Sequence, residues 1–483
     1  IASARNLRLN GPSVHPCLQA AQIEVGDVPL TVHGRSLVPP HIEYQNQRVV
    51  VDAASGKWFS STRKNKSKFR VGAKIDNWHM YVLTENPTPA HKELGLNLIA
   101  VMMEEFKARG MDIGMPKLLG CVHASQLFLR TIFRRAKKEN IQFLFFVQEK
   151  ELSLHKEMKY FERLFEIISQ DLHMETAKAI VNEGKPFSVD TIIAKLNMKM
   201  GGVNYGLSGA CCSNMFKKGR LYIGFQANYY NNPTEADELP AVIGSAANVT
   251  SAPEAFVGDF FFQAPNDSGM LHAMVKATFS YVQRYKSVHG HEPNEVVVYR
   301  MGSFEGQSTQ ILKDEIPALR MTLKNAGAQS AKLTVLVVSK NHSVRLMPSV
   351  IIPGSKASEQ NVKPGTVVDK KITHPKYAEF YLNAHQTLHG SAKTPKYTVV
   401  VDDSSHPIEY LERVTYALSF GHQIVGCPTS IPSPLFIAGE YADRGTTMIK
   451  AKKKLGEEIN IQAMEAQLPY ASSKILGCKR INA

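Results

Sequence analysis

Lys195 and Lys199 stand four residues apart, just before a glycine pair, in the run Lys195-Leu-Asn-Met-Lys-Met-Gly-Gly-Val-Asn204. On a helix that spacing puts both ammonium groups on one face, where they repel each other unless an anion lies between them. The glycines are a natural helix stop and let backbone approach a ligand closely. A phosphate suits such donors. On these ten residues alone, a solvated helix face that ends in glycines is the plainer reading. His155 and Lys159 repeat the four-residue spacing on a predicted helix whose apolar stripe is Met158, Phe161, Phe165 and Ile168. They fall on its other side, either as two exposed residues or as ligands of an anion.

The elements that must position these groups read as alternating strands and helices. Within 46–200, apolar runs at Trp78–Leu83, Lys117–Val122 and Phe143–Val147 predict buried strands, with helices over Ala90–Arg109 and Ser125–Lys138. Ligands of such sheets bind beyond the carboxyl ends of the strands, where the helix starting near His155 begins. Residues 1–45 read as an extended arm, since Pro39-Pro40 exclude a helix there. From 204 to 483 a second α/β unit is predicted. Its strands are Leu221–Ala227, Ala255–Gln263, Glu295–Tyr299, Lys332–Val338 and Tyr397–Val401, and its helices Gly269–Tyr285, Ser308–Ala326 and Pro407–Ser419. Gly354–Lys363 reads as a surface loop, and Ile459–Ala483 as a terminal segment that packs one helix.

At 483 residues the chain is too long for one core. Its net charge of +14 favours a polyanionic partner, because neutralising phosphates drives nucleic-acid affinity. Basic runs at Arg63–Arg70, Arg134–Lys138 and Lys452–Lys454 read as solvated faces that can assist this. Six cysteines, two of them adjacent (Cys211, Cys212), form neither a disulfide framework nor a paired metal site. No apolar run reaches the roughly 20 residues of a membrane helix. The absence of an initiating Met predicts a piece of a longer protein.

The last third carries a specific signal. Pro364-Gly-Thr-Val-Val-Asp369, Ile372-Thr-His-Pro375, Glu379-Phe-Tyr-Leu-Asn-Ala-His385, His389-Gly-Ser-Ala-Lys393, Asp402-Asp403 and Ser430-Ile-Pro-Ser-Pro434 occur in order. The run resembles the PIWI domain of eukaryotic Argonaute proteins. Tyr299-Arg-Met-Gly-Ser-Phe-Glu-Gly-Gln307 resembles another segment of that domain, and Lys195–Asn204 the end of the MID domain. Gly34–Tyr44, Trp58 and Trp78 are similar to the linker and the MID start. The resemblance implies an arm at 1–45, a Rossmann-like MID domain at 46–203 and an RNase H-like PIWI domain at 204–483. The amino-terminal and PAZ domains of the family have no counterpart in the sequence.

The resemblance also implies roles. A guide RNA's 5′ phosphate would be held by His155 (Tyr in many relatives), Lys159, Gln170 (after a one-residue gap), Lys195, Lys199 and Arg444, with the carboxylate of Ala483 nearby. The guide backbone would meet Lys340, Asn341, Arg345 and Ser430, and Ile424 or a neighbour replaces an arginine of the family. Cleaving relatives hold two metal ions with carboxylates plus a His or Asp. Here Gln226, Met301 and Gly439 stand at those positions, and the inserted glutamate falls near Asn266–Ser268. The expectation is a binding protein that does not slice. A nuclease using Asp267, Glu305 or Asp369, and a protein scaffold that no longer binds RNA, are the alternatives.

The replacements and His155 resemble the worm-specific Argonaute clade of nematodes. That implies guides with a 5′ triphosphate and a 5′ guanosine. It implies no required cofactor, with Mg²⁺ at the guide phosphate the one ion allowed. The implied partners are a small guide RNA, its complementary target RNA and silencing effectors that present tryptophans, with no membrane. The implied place is the cytoplasm, including perinuclear RNA granules, or the nucleus. An imidazole in place of a phenol gives room and a chargeable group for further phosphates.

Overall fold

The structure is a computed structural model that describes residues 9, 14–26, 28–58, 61–62, 65–184, 186–212, 215–216, 219–229, 239–264, 269–356 and 358–483. In the first α/β unit, strands β1 (Trp78–Thr84), β2 (Leu118–His123), β3 (Phe143–Gln148) and β4 (Ile168–His173) form one parallel sheet in the order β4-β3-β1-β2. This is the Rossmann-like arrangement. β1 and β3 are buried along their whole length, which is why both read as apolar runs. Helices α1 (Pro89–Ala108), α2 (Gln126–Lys138), α3 (His155–Phe165), α4 (Met174–Glu183) and α5 (Pro186–Lys199) pack around the sheet.

Phe133 of α2 lies 5.8 Å from Phe146 of β3, 6.1 Å from Phe161 and 6.2 Å from Phe165, ring centre to ring centre. This aromatic cluster clamps α3 so that its first turn stands just past the end of β3. Ile168 corrects the predicted stripe. Glu166 adopts a left-handed conformation (φ 56°) that ends the helix, and Ile168 opens β4 instead. Its helical spacing from Phe165 is coincidental. Helix α5 stops where the glycines predict, with Gly201 at φ 92° and the Gly202 amide donating to Asn197 O at 2.8 Å.

The second unit is built on a mixed sheet of β5 (Arg220–Asn228), β6 (Ala241–Ala247), β7 (Val257–Gln263), β8 (Glu295–Met301), β9 (Lys332–Ser339), β10 (Thr366–Val368), β11 (Ala378–Asn383) and β12 (Lys396–Asp402). Their order is β10-β11-β12-β9-β8-β5-β6-β7. β5, β8 and β9 run parallel, whereas β5-β6-β7 is an antiparallel meander, the RNase H-like pattern. Successive side chains of β5 enter opposite cores. Leu221, Ile223 and Phe225 pack with α6 (Leu271–His289) and α7 (Ile316–Asn325), while Tyr222 joins the core under α8 (Ile408–Leu418) and α9 (Ser433–Lys454).

β6 and α9 lie at the centre of this unit, and the sequence periodicity predicts neither. α9 lies directly on β5, β6 and β7 because glycines open the space. A Cβ on Gly224 would sit 2.2 Å from Pro434 O, and one on Gly244 would sit 1.9 Å from Ala438 O. The other side of α9 packs against α3 of the first unit, so one helix spans both cores. Two segments of the arm are woven into sheets as well. Arg35–Ser36 pairs antiparallel with β10, and His41–Glu43 pairs with Gly206–Ser208. Arg35 also reaches Asp369 at 2.7 Å and the fully buried Glu412 at 2.8 Å.

Candidate functional site

One member of each four-residue pair, Lys159 and Lys199, reaches the place where α3, β4, α5 and α9 meet. Lys159 is buried, not exposed. Its Nζ donates to Ser169 O at 2.9 Å and Ser169 Oγ at 3.0 Å, and lies 3.4 Å from Glu162 Oε2 and 3.7 Å from Asp171 Oδ1. Lys199, at the end of α5, donates to Ser169 O at 3.1 Å and Gln170 Oε1 at 2.8 Å. Arg444 of α9 crosses from the second unit and donates to Glu162 Oε1 at 3.0 Å. Four of the six predicted phosphate ligands, Lys159, Gln170, Lys199 and Arg444, thus share partners in one buried cluster.

Glu162 is the hub of that cluster and is fully buried. Its second oxygen accepts from the Ser169 amide at 2.8 Å and the Ser169 hydroxyl at 2.7 Å. Burial alone pushes its carboxyl up, but Lys159, Arg444 and Lys199 together hold it below the usual range. Lys199 is driven the other way. Burial, then the charges of Lys159 and Arg444, push its ammonium well below the ordinary lysine value. The cluster therefore carries cations in excess of the carboxylates that balance them. A further anion relieves that repulsion.

His155 lies at the rim, its side chain 53 % exposed, with Nδ1 2.8 Å from Asp171 Oδ2. Lys195 sits one helical turn before Lys199. With burial and Arg480, its charge pushes the imidazole of His422 well below the ordinary value. Arg480 contacts Glu440 at 3.0 Å, and Ala483 is buried with Met198 and Ile424 beside this second basic group. Ile424 thus serves as packing. Sequence reasoning misses Glu162, Ser169 and Asp171, because carboxylates run against the expectation of an anion site. The i,i+3 spacing of Lys159 and Glu162 was the available signal.

The residues expected to meet the guide backbone fall into two places. Lys340 Nζ donates to Ser430 Oγ at 3.1 Å, and burial, then Lys393, push its ammonium down. Arg345 and Asn341 are exposed on the following loop, where Arg345 is held by His342 O at 2.7 Å and Val344 O at 2.8 Å.

Gln226, Met301 and Gly439 also come together. Phe225 pairs with Arg300, so Gln226, two residues before the end of β5, stands beside Met301, the last residue of the neighbouring parallel strand β8. A Cβ on Gly439 would stand 2.7 Å from Gln226 Oε1, so the end of the glutamine lies over the glycine. An amide, a thioether and a hydrogen bring no anionic oxygen, and this set does not fit a pair of divalent ions. Among the described residues, no group of three or more His, Cys, Asp or Glu is placed to hold a metal ion. Of the alternative acids, Glu305 is paired with Lys396 and Asp369 with Arg35. Asp267 and the stretch Asn266–Ser268 lie outside the described residues.

Comparison with known proteins bears on the family and the fold. The Piwi domain family matches residues 142–450. The chain is 32% identical over 481 residues to Argonaute protein wago-1 of Caenorhabditis elegans, covering 96% of this chain and 49% of that protein. It is 29% identical over 503 residues to Argonaute protein wago-4 of the same organism, covering 95% and 50%. The chain thus spans about half the length of these curated relatives. The crystal structure of Kluyveromyces polysporus Argonaute with a guide RNA superposes with a TM-score of 0.81 at 17% identity, covering 97% of this chain and 59% of that one. Family match, relatives and fold lead to one assignment: this chain belongs to the Argonaute family, as a eukaryotic MID–PIWI chain of the nematode kind.

Proposed function

We propose that the chain anchors the 5′ end of a small guide RNA, presents the guide to complementary transcripts and silences them without cutting. The observation that carries this reading is the buried cluster of Lys159, Lys199 and Arg444, drawn from both units around two carboxylates. An ammonium as disfavoured as that of Lys199 is costly in an empty site and useful with a phosphate bound. Lys195 and Lys340–Ser430 extend the basic path toward the guide backbone. Base pairing supplies sequence information, so the protein need only grip the backbone and one end.

The replacement of three ligand positions by Gln226, Met301 and Gly439 supports the absence of cleavage. His155 supports guides with a 5′ triphosphate, with guanosine first, and no metal ion is required by this reading. Silencing effectors bearing tryptophans are the proposed protein partners. The test is equilibrium binding of one short RNA with a 5′ hydroxyl, monophosphate or triphosphate, beside a guide-directed cleavage assay in Mg²⁺ and Mn²⁺. Binding should rank triphosphate, monophosphate, hydroxyl, and the target should stay intact. Equal binding of all three, or cleavage that depends on one of the chain's acids, would overturn it.

A further inference from the structure

Asp171 is an odd residue to find here, a carboxylate inside a site that should attract anions. We propose that Asp171 is a positioning residue. It fixes the His155 ring so that the imidazole serves phosphates beyond the first, and so sets the preference for polyphosphorylated guide ends. This rests on reading the lysine cluster as the holder of the guide's 5′ phosphate.

The geometry is that of a relay. The Leu154 amide donates to Gln148 Oε1 at 3.2 Å, and Gln148 Nε2 donates to Asp171 Oδ2 at 3.1 Å. The same oxygen lies 2.8 Å from His155 Nδ1. Gln148 is buried, and the Asp171 side chain is only 13 % exposed, so this end of the relay is fixed before any ligand arrives. Burial pushes the Asp171 carboxyl up, but His155, Lys159 and Lys199 outweigh it and hold it far below the usual range. An ionised carboxylate only accepts, so the proton between the two side chains resides on Nδ1. The ring's other nitrogen diverges from Asp171 on a side chain that is half exposed.

Two consequences follow from charge. Asp171 offsets Lys159, 3.7 Å away, so it opposes rather than helps the first phosphate in the deep cluster. At the rim it does the reverse, because an imidazole backed by a carboxylate is a better partner for an anion. Charges near the start of α3 include the exposed Lys156, Lys150 and Glu151 of the preceding turn, and Glu157 and Lys454 of α9, which lie 2.5 Å apart; Lys454 also donates to Ser153 O at 3.2 Å. Asp171 therefore discriminates between guide ends: it disfavours the first phosphate slightly and favours the later ones through His155.

The test compares RNA bearing a 5′ hydroxyl, monophosphate or triphosphate on the full chain, Asp171→Ala, Asp171→Asn, His155→Ala and the double alanine variant. Asp171→Ala should lose at least about tenfold of the triphosphate-over-monophosphate preference, the scale of one charge-assisted hydrogen bond. Its monophosphate affinity should hold or rise. His155→Ala should lose as much, the double variant no more than either alone, and Asp171→Asn, which keeps an acceptor, should recover part. A preference that survives in Asp171→Ala, or losses that multiply in the double variant, would overturn the proposal. Should Asp171→Ala fail to fold, the ¹⁵N resonances of His155 in the unchanged chain decide. A protonated Nδ1 is expected, and a bare one overturns it. Failure of the underlying reading looks different: the unchanged chain would then not distinguish hydroxyl from monophosphate.

Discussion

Replacing Lys199 by Met separates the cost of the empty site from its use. The side chain donates to Ser169 O at 3.1 Å and Gln170 Oε1 at 2.8 Å, and each bond contributes about 1 kcal/mol net. Against this stands an ammonium 2 % exposed that burial, Lys159 and Arg444 all disfavour. Its folded value is depressed, so the unfolded chain binds this proton more tightly. Lys199 therefore destabilises the fold most below its folded value, and the penalty fades as pH rises toward the ordinary lysine value. Methionine fills a similar volume without charge, so the lost bonds and the relieved penalty nearly cancel. The melting temperature of the free chain should move by a few degrees at most.

Binding should respond very differently. Truncating one partner of a buried charge-assisted contact costs about 2–5 kcal/mol, a loss of roughly 30- to 5,000-fold for 5′-phosphorylated RNA. RNA with a 5′ hydroxyl should bind as before. Fluorescence anisotropy with both RNAs, run beside thermal melting, reads the two effects separately. A loss below about threefold for the phosphorylated RNA, or a parallel loss for the hydroxyl form, would refute the placing of a phosphate at Lys199.

Three further outcomes are expected. Glu162→Gln removes the carboxylate that balances Lys159 and Arg444, and should destabilise the free chain by about 3–5 kcal/mol. Phosphorylated RNA should restore part of the melting temperature, and because the folded value of Glu162 is lowered, its stabilisation should vanish as pH falls through that value. Burial, then Asp369 and Glu409 against Arg35, push the Glu412 carboxyl up to about 7. Stability should thus fall as pH rises from the ordinary carboxyl range to about 7, a slope that Glu412→Gln should flatten in melts across that window. Gly244→Ala meets backbone at 1.9 Å and should cost about 3 kcal/mol or more, whereas Gly439→Ala meets only the movable end of Gln226 and should be nearly neutral in denaturant titrations.

The buried strands of the first unit are legible because Trp78–Leu83, apolar apart from His79, and Phe143–Val147 are apolar runs between helical patterns. β6 is not, since Ala-Val-Ile-Gly-Ser-Ala-Ala draws its burial from glycine-mediated contact with α9 rather than from its own apolar bulk. α9 begins with Pro432 at its cap and Pro434 in its first turn, contains Gly439 and Gly445, and is buried on nearly all sides, so it shows no amphipathic stripe. Within the site, the four-residue spacing of the basic pairs points to the correct helices. Of the neutralising partners, Glu162 is hinted at by its i,i+3 spacing from Lys159, whereas Asp171 emerges only when α3, β4 and α5 are brought together.

The short strand Arg35–Ser36 bears on how the chain is made. Its guanidinium finds Asp369 at a separation of 334 residues. At synthesis rates of about 5–20 residues per second, that partner appears roughly 15–70 s after the strand itself. Closure of so long a loop makes this a late contact, formed after the local pairs of β5 to β9 are in place. Until then its pairing strand β10 has not been made. Two residues, one of them charged, offer little edge to pair with, which keeps the waiting segment from seeding aggregation until β10 arrives to receive it.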